Sequence, residues 1–172
     1  GPYVWTDGDN MYYSNGSYQY QLDKTTSTWT EKRWGIQNLD GRYVWFDGDT
    51  AYYSNGSYQY KFRKDTASWA STSWTGLSNF YGEYIWTDGT NIYYSTETSQ
   101  KVLNKSTTPY SWNNKTWTGL TNFNGRSVWG VGENIYYSYN TQQYSLNKMT
   151  STWSSMAWSG LTSFDGRYVW TD

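Results

Sequence analysis

Apolar and aromatic positions recur in short clusters separated by polar turns, and the clusters themselves repeat. Tyr3-Val4-Trp5 returns as Tyr43-Val44-Trp45, Tyr84-Ile85-Trp86, Ser127-Val128-Trp129 and Tyr168-Val169-Trp170. The first four are each followed by an apolar-Tyr-Tyr-Ser run, at 11–14, 51–54, 92–95 and 135–138. A third cluster alternates Tyr or polar residues with apolar ones and ends in a polar turn, as in YQYQLDKTTSTW. The fourth runs from one Trp to another and on to Gly-Leu-x-x-Phe: Trp69 through Trp74 to Phe80, Trp112 through Trp117 to Phe123, Trp153 through Trp158 to Phe164. The first repeat has Trp29, Trp34 and Leu39 instead.

Turn dipeptides separate these clusters. Asp-Gly stands at 7–8, 47–48 and 88–89, and Asn-Gly at 15–16 and 55–56. Both tolerate the positive φ that tight hairpins require. In DKTTST and NKMTST the leading Asp or Asn can close an Asx-turn. Each repeat therefore predicts four short strands joined by three hairpins, an antiparallel meander.

The first two strands lack polar–apolar alternation. YVW and IYY are apolar on both faces, whereas a sheet with one wet face alternates. Such a sheet must be covered on both sides. Sheets of four strands, repeated about every 40 residues and stacked face to face, predict an all-β fold, a β-propeller of four-stranded blades. A β-solenoid is the rival, but its rungs are shorter and lack so many hairpins. The repeat boundaries give blades at approximately 1–40, 41–81, 82–124 and 125–165, and 166–172 is an extra first strand.

Composition sharpens this. Aromatic residues make up 22% of the 172, with 13 Trp and 20 Tyr, whereas Ala occurs four times. Trp and Tyr must supply the core that aliphatic residues usually supply. Net charge is −1, which offers no basic footprint for nucleic acid. No apolar run is long enough for a membrane-spanning helix. Cysteine and histidine are both absent, so disulfides, thiolate nucleophiles and imidazole bases are excluded from this chain, as are zinc-finger and copper sites.

The repeat resembles that of the kelch propellers. Leu22-x6-Trp29, Phe62-x6-Trp69 and Leu146-x6-Trp153 match the kelch spacing from an apolar residue to a Trp. Leu103 to Trp112 is two residues longer, with Pro109 in the insertion. Asn-Gly replaces the paired glycines of that family at 15–16 and 55–56, and both are lost at Thr96-Glu97 and Tyr139-Asn140. The resemblance implies that the first strand of each blade lies innermost.

The duplicated segment bears on assembly. Tyr3, Val4 and Trp5 reappear as Tyr168, Val169 and Trp170, giving five first strands for four repeats. The surplus strand fits an excised array, a clasp in which 166–172 replaces 1–7, or pairing with another copy. The expected partner is the chain itself, most simply as a dimer sharing one propeller.

The repeated Asp7, Asp47, Asp88 and Asp172 raise the thought of a metal ring, but Asp-Gly turn chemistry explains them, and no metal or cofactor is expected. Kelch-like oxidases need His and Cys, so no enzyme is expected either. The favoured function is a non-catalytic scaffold for protein–protein interaction. One alternative is a multivalent lectin using Trp34, Trp74, Trp117 and Trp158 as exposed platforms. Another is a recently amplified or engineered repeat with no ligand of its own.

Overall fold

The structure, a computed structural model, describes residues 3–169. The chain is all-β, of the β-propeller class, with four antiparallel sheets in sequence order and no α-helix among the described residues. It divides into two compact units, residues 1–83 and 84–172, with two sheets in each.

The first unit holds blades 1 and 2. Blade 1 is formed by β1 (Val4–Thr6), β2 (Met11–Gly16), β3 (Gln19–Asp23) and β4 (Thr28–Glu31), and β5 (Leu39–Asp40) pairs with the end of β2. Blade 2 repeats this with β6 (Val44–Asp47), β7 (Thr50–Gly56), β8 (Tyr58–Arg63) and β9 (Ser68–Ser71), and β10 (Phe80–Tyr81) pairs with β7. The second unit holds blade 3, formed by β11 (Ile85–Thr87), β12 (Ile92–Thr96), β13 (Ser99–Asn104) and β14 (Ser111–Asn114). It also holds blade 4, formed by β15 (Val128–Val131), β16 (Asn134–Tyr139), β17 (Gln142–Asn147) and β18 (Thr152–Ser155).

The expected turns form as their chemistry requires. Gly8 and Gly16 take positive φ, +94° and +91°, at the first two hairpins of blade 1. Asp23 accepts from the backbone N–H groups of Thr25 and Thr26, and Asn147 does the same for Met149 and Thr150. The six-residue spacing also gains a cause. Leu22, Phe62 and Leu146 stand directly across the third hairpin from Trp29, Trp69 and Trp153. Leu103 still faces Trp112, so the longer turn of blade 3 absorbs its two extra residues without shifting register.

One cross-strand bond recurs in every blade. The indole N–H of Trp5, Trp45, Trp86 and Trp129 donates to the hydroxyl of Ser14, Ser54, Ser95 and Ser138, at 3.1, 2.9, 2.9 and 3.1 Å. All four serines are completely or almost completely buried. The preceding tyrosine then lies against the indole, with ring centroids 4.2 Å apart for Trp5–Tyr12 and 4.4 Å for Trp86–Tyr93. A buried donor left unmatched costs about 1–3 kcal/mol, so the serine of the apolar-Tyr-Tyr-Ser run is fixed by the tryptophan it serves.

Within each unit the two blades stack through aromatic rings. Call the Trp5 side of a sheet its front and the Trp29 side its back. In the first unit, the front of blade 1 (Trp5, Tyr12, Trp34, Ile36, Leu39) packs on the back of blade 2 (Ala51, Tyr53, Phe62, Trp69). In the second, the front of blade 3 (Trp86, Tyr93, Trp117, Leu120, Phe123) packs on the back of blade 4 (Ile135, Tyr137, Trp153). Buried glutamines tie β3 and β17 to the chain leaving the blade: the amide of Gln19 donates to the Ile36 carbonyl and that of Gln143 to the Thr162 carbonyl.

The repeated glycine of the G-x-[YS]-[VI]-W segment has its own reason. Its φ is not positive; what it lacks is room. A Cβ on Gly41 would meet the Tyr3 carbonyl, one on Gly82 the Tyr43 carbonyl, one on Gly125 the Tyr84 carbonyl, and one on Gly166 the Ser127 carbonyl. Each glycine is thus where the chain leaving a blade presses on the carbonyl just ahead of that blade's own first strand. Gly82→Ala is expected to lower unfolding free energy by about 1–3 kcal/mol through overpacking against rigid backbone, measured by denaturant titration.

Candidate functional site

Three features are candidates for function: the repeated acidic turns, a pocket between the blades of each unit, and one face each of blades 1 and 4.

The acidic turns are structural. Asp7 and Asp88 are buried, and each carboxylate closes its own hairpin. Asp7 Oδ1 accepts from the backbone N–H of Asp9 and Asn10, and its Oδ2 accepts from the Tyr12 hydroxyl at 2.8 Å. Asp88 makes the same bonds with Thr90, Asn91 and Tyr93. Burial pushes both carboxyls up, but these donated hydrogen bonds outweigh it and hold both below the usual carboxylate range. Burial and the carboxylate partner push the Tyr12 and Tyr93 hydroxyls well above the usual phenol range. Asp47 ends β6, and Asp172 lies outside the described residues. Among the described residues, no three His, Cys, Asp or Glu side chains are grouped to hold a metal ion, and no helix is long and apolar enough to cross a membrane.

The four tryptophans expected as exposed platforms are placed differently. Trp34, Trp74 and Trp117 are buried at 5%, 9% and 4% exposure, and Trp158 is half-buried. Each meets the first-strand indole of its own blade, with centroids 5.4–5.9 Å apart, and the neighbouring tyrosine at 5.1–5.3 Å. They complete the aromatic layer of the front face, so the expectation of surface platforms is corrected. The misplacement has a simple source. These residues follow the outermost strand in sequence, but the chain has already turned back over the sheet to reach the next blade.

A pocket recurs in both units at equivalent places. Between blades 1 and 2 it has a volume of about 410 Å³ and is lined by Asn38, Tyr53, Asn55, Tyr58 and Tyr60, together with residues 35–37. No lining residue carries a formal charge. Tyr53 forms the floor, its hydroxyl accepting from the Asn55 amide at 3.0 Å, and Tyr58 is 65% exposed at the rim. Between blades 3 and 4 the pocket is about 500 Å³, with Asn122, Tyr137, Tyr139 and Gln142 in the matching positions, and it also reaches Glu97 and Arg167. Burial and the nearby Asp165 push the Tyr137 hydroxyl up to about 12.

Blades 1 and 4 each present one face whose counterparts are buried. On the back of blade 1, Trp29 is 42% exposed and Tyr13 and Leu22 are half-buried, whereas Tyr53, Phe62 and Trp69 on the back of blade 2 are all buried. On the front of blade 4, Leu161 is 56% exposed and Trp129, Tyr136, Trp158 and Phe164 are half-buried. Their equivalents on the fronts of blades 1 and 3 are buried.

The duplicated first strands have distinct places. Val4 and Trp5 pair with Tyr13 and Tyr12 of β2, with Tyr3 just ahead of the strand. Tyr168 closes a 3₁₀ turn over Gly166–Tyr168, capped by the Asp165 side chain, and Val169 donates back to the Gly166 carbonyl. This is the same turn that leads into blade 2 at Gly41–Tyr43. Trp170 lies outside the described residues. No family model matches the chain, and no curated protein matches it.

The turn chemistry makes a pH prediction. The folded pKa of Asp7 and Asp88 lies below the unfolded value, so their stabilisation is complete above the unfolded pKa and is lost as pH falls through the folded one. Asp7→Asn is expected to cost about 1.5–3 kcal/mol at pH 7, and to lessen the drop in stability seen below about pH 4. Chemical unfolding at a series of pH values measures both.

Proposed function

We propose that the chain is a non-catalytic scaffold module of the kelch-like kind that works by protein–protein interaction, and that its first partner is a copy of itself. The observation carrying this reading is the pair of uncovered aromatic faces, the back of blade 1 and the front of blade 4. Exposed apolar surfaces of this kind mark interaction sites. Two surfaces on one chain that match the two halves of an internal interface favour association of copies head to tail, which closes into a ring or runs on as a fibre.

A non-catalytic role is supported by how the ionisable groups are used. The chain has no His or Cys, and its two most deeply set carboxylates are committed to their own turns. Native mass spectrometry is expected to give a species of about 40 kDa, twice the 20.2 kDa chain, corresponding to two copies sharing one propeller. A species at the mass of one chain across micromolar concentrations would refute self-assembly.

A second reading rests on the repeated pocket. The copy between blades 1 and 2, uncharged and lined by tyrosine rings and side-chain amides, suits a saccharide, which presents C–H faces to rings and hydroxyls to amides. On that reading a glycan array gives reproducible binding that Tyr58→Ala and Asn55→Ala reduce at least tenfold. A flat array, or binding indifferent to both changes, rejects it.

A further inference from the structure

The self-assembly reading leaves open which surfaces meet, and the internal interfaces supply a template. The front of blade 1 meets the back of blade 2 with Trp5 5.6 Å from Phe62 and 5.5 Å from Trp69. The front of blade 3 meets the back of blade 4 with Trp86 6.0 Å and Phe123 5.3 Å from Trp153. The uncovered front of blade 4 carries Trp129, Tyr136, Trp158, Leu161 and Phe164 at the positions of Trp86, Tyr93, Trp117, Leu120 and Phe123. The uncovered back of blade 1 carries Met11, Tyr13, Leu22 and Trp29 at the positions of Ile135, Tyr137, Leu146 and Trp153. Both halves of the interface are therefore present, residue for residue.

A polar feature follows the same rule. Lys64, in the third turn of blade 2, reaches across to donate to the Asp7 carbonyl of blade 1 at 2.6 Å. Lys148, at the same place in blade 4, donates to the Asp88 carbonyl of blade 3 at 2.9 Å. Lys24 holds this position in blade 1, yet its ammonium folds back onto the Asp9 carbonyl of its own blade at 2.8 Å. The carbonyl that corresponds in blade 4 to those of Asp7 and Asp88 belongs to Val131, itself 47% exposed.

We infer that the front of blade 4 seats on the back of blade 1 of a second copy, a heterologous contact in which Lys24 leaves its own Asp9 carbonyl for the Val131 carbonyl of the next copy. This rests on the self-assembly reading and adds the two surfaces, their polarity and the lysine that pins them. Among the described residues, the contact within each unit is front on back, never the front-on-front or back-on-back of an isologous pair.

Complementation tests it. Trp29→Arg places a charge on the back of blade 1, and Leu161→Arg places one on the front of blade 4. Both sites are substantially exposed, so each variant is expected to fold, which near-ultraviolet circular dichroism checks. Each variant alone is expected to be monomeric by native mass spectrometry. A 1:1 mixture is expected to form a heterodimer, because the intact front of the Trp29→Arg chain meets the intact back of the Leu161→Arg chain. If the wild type associates but either variant alone associates as the wild type does, or the mixture stays monomeric, the assigned surfaces are wrong while self-assembly stands. A monomeric wild type overturns both.

Discussion

A tryptophan that must be buried on both sides and satisfied at its nitrogen is the constraint on which this protein is built. In each blade the first strand carries that indole, the second supplies the serine that receives its N–H, and a tyrosine lies along its face. With an aromatic on nearly every inward position, a four-stranded sheet cannot cover itself. Only a second sheet can remove so much ring surface from water. Stacking in each unit is thus required by the composition of a single repeat. Charge has a small part in the outer turns: the Arg33–Glu31 and Lys64–Asp9 pairs are exposed, and exposed pairs contribute little.

Within each unit the two blades are held at both ends of the first strand. At its start, Gly41 and Gly125 allow the following chain to lie against the carbonyls of Tyr3 and Tyr84. At its end, a lysine from the neighbouring blade takes the carbonyl of Asp7 or Asp88. The first contact admits no side chain and the second needs a long flexible one. These opposite demands explain why a glycine and a lysine recur at fixed places in a repeat that otherwise varies.

Much of this could be read from the residues. Asp-Gly and Asn-Gly marked hairpins because φ at those positions must be positive, and the unalternating YVW and IYY strands required cover on both faces. Other features lay beyond local pattern. The two-residue strand at Leu39–Asp40 carries no periodicity of its own and exists only because the end of β2 offers it a partner. Trp34, Trp74 and Trp117 read as outer residues because sequence order was taken for radial order. Nor did sequence distinguish the glycine at 82, which gives way to backbone, from the glycine at 89, which turns the chain. The tyrosines at 13 and 53 sit in the same SNGSYQY-flanked run yet differ in burial, because exposure there depends on whether a neighbour is present.

The two pins have a geometric corollary. With the narrow edge of each interface fixed by backbone contact, the thickness of the ring layer alone decides how far the outer strands splay. That splay is an angle, and a closed circle admits only a whole number of such angles. The symmetry of any circle built from these sheets is therefore a property of stacked tryptophan, tyrosine and phenylalanine girth, written in no one residue. Thinning the wedge by a single ring, as from Trp to Leu, asks the circle for another member.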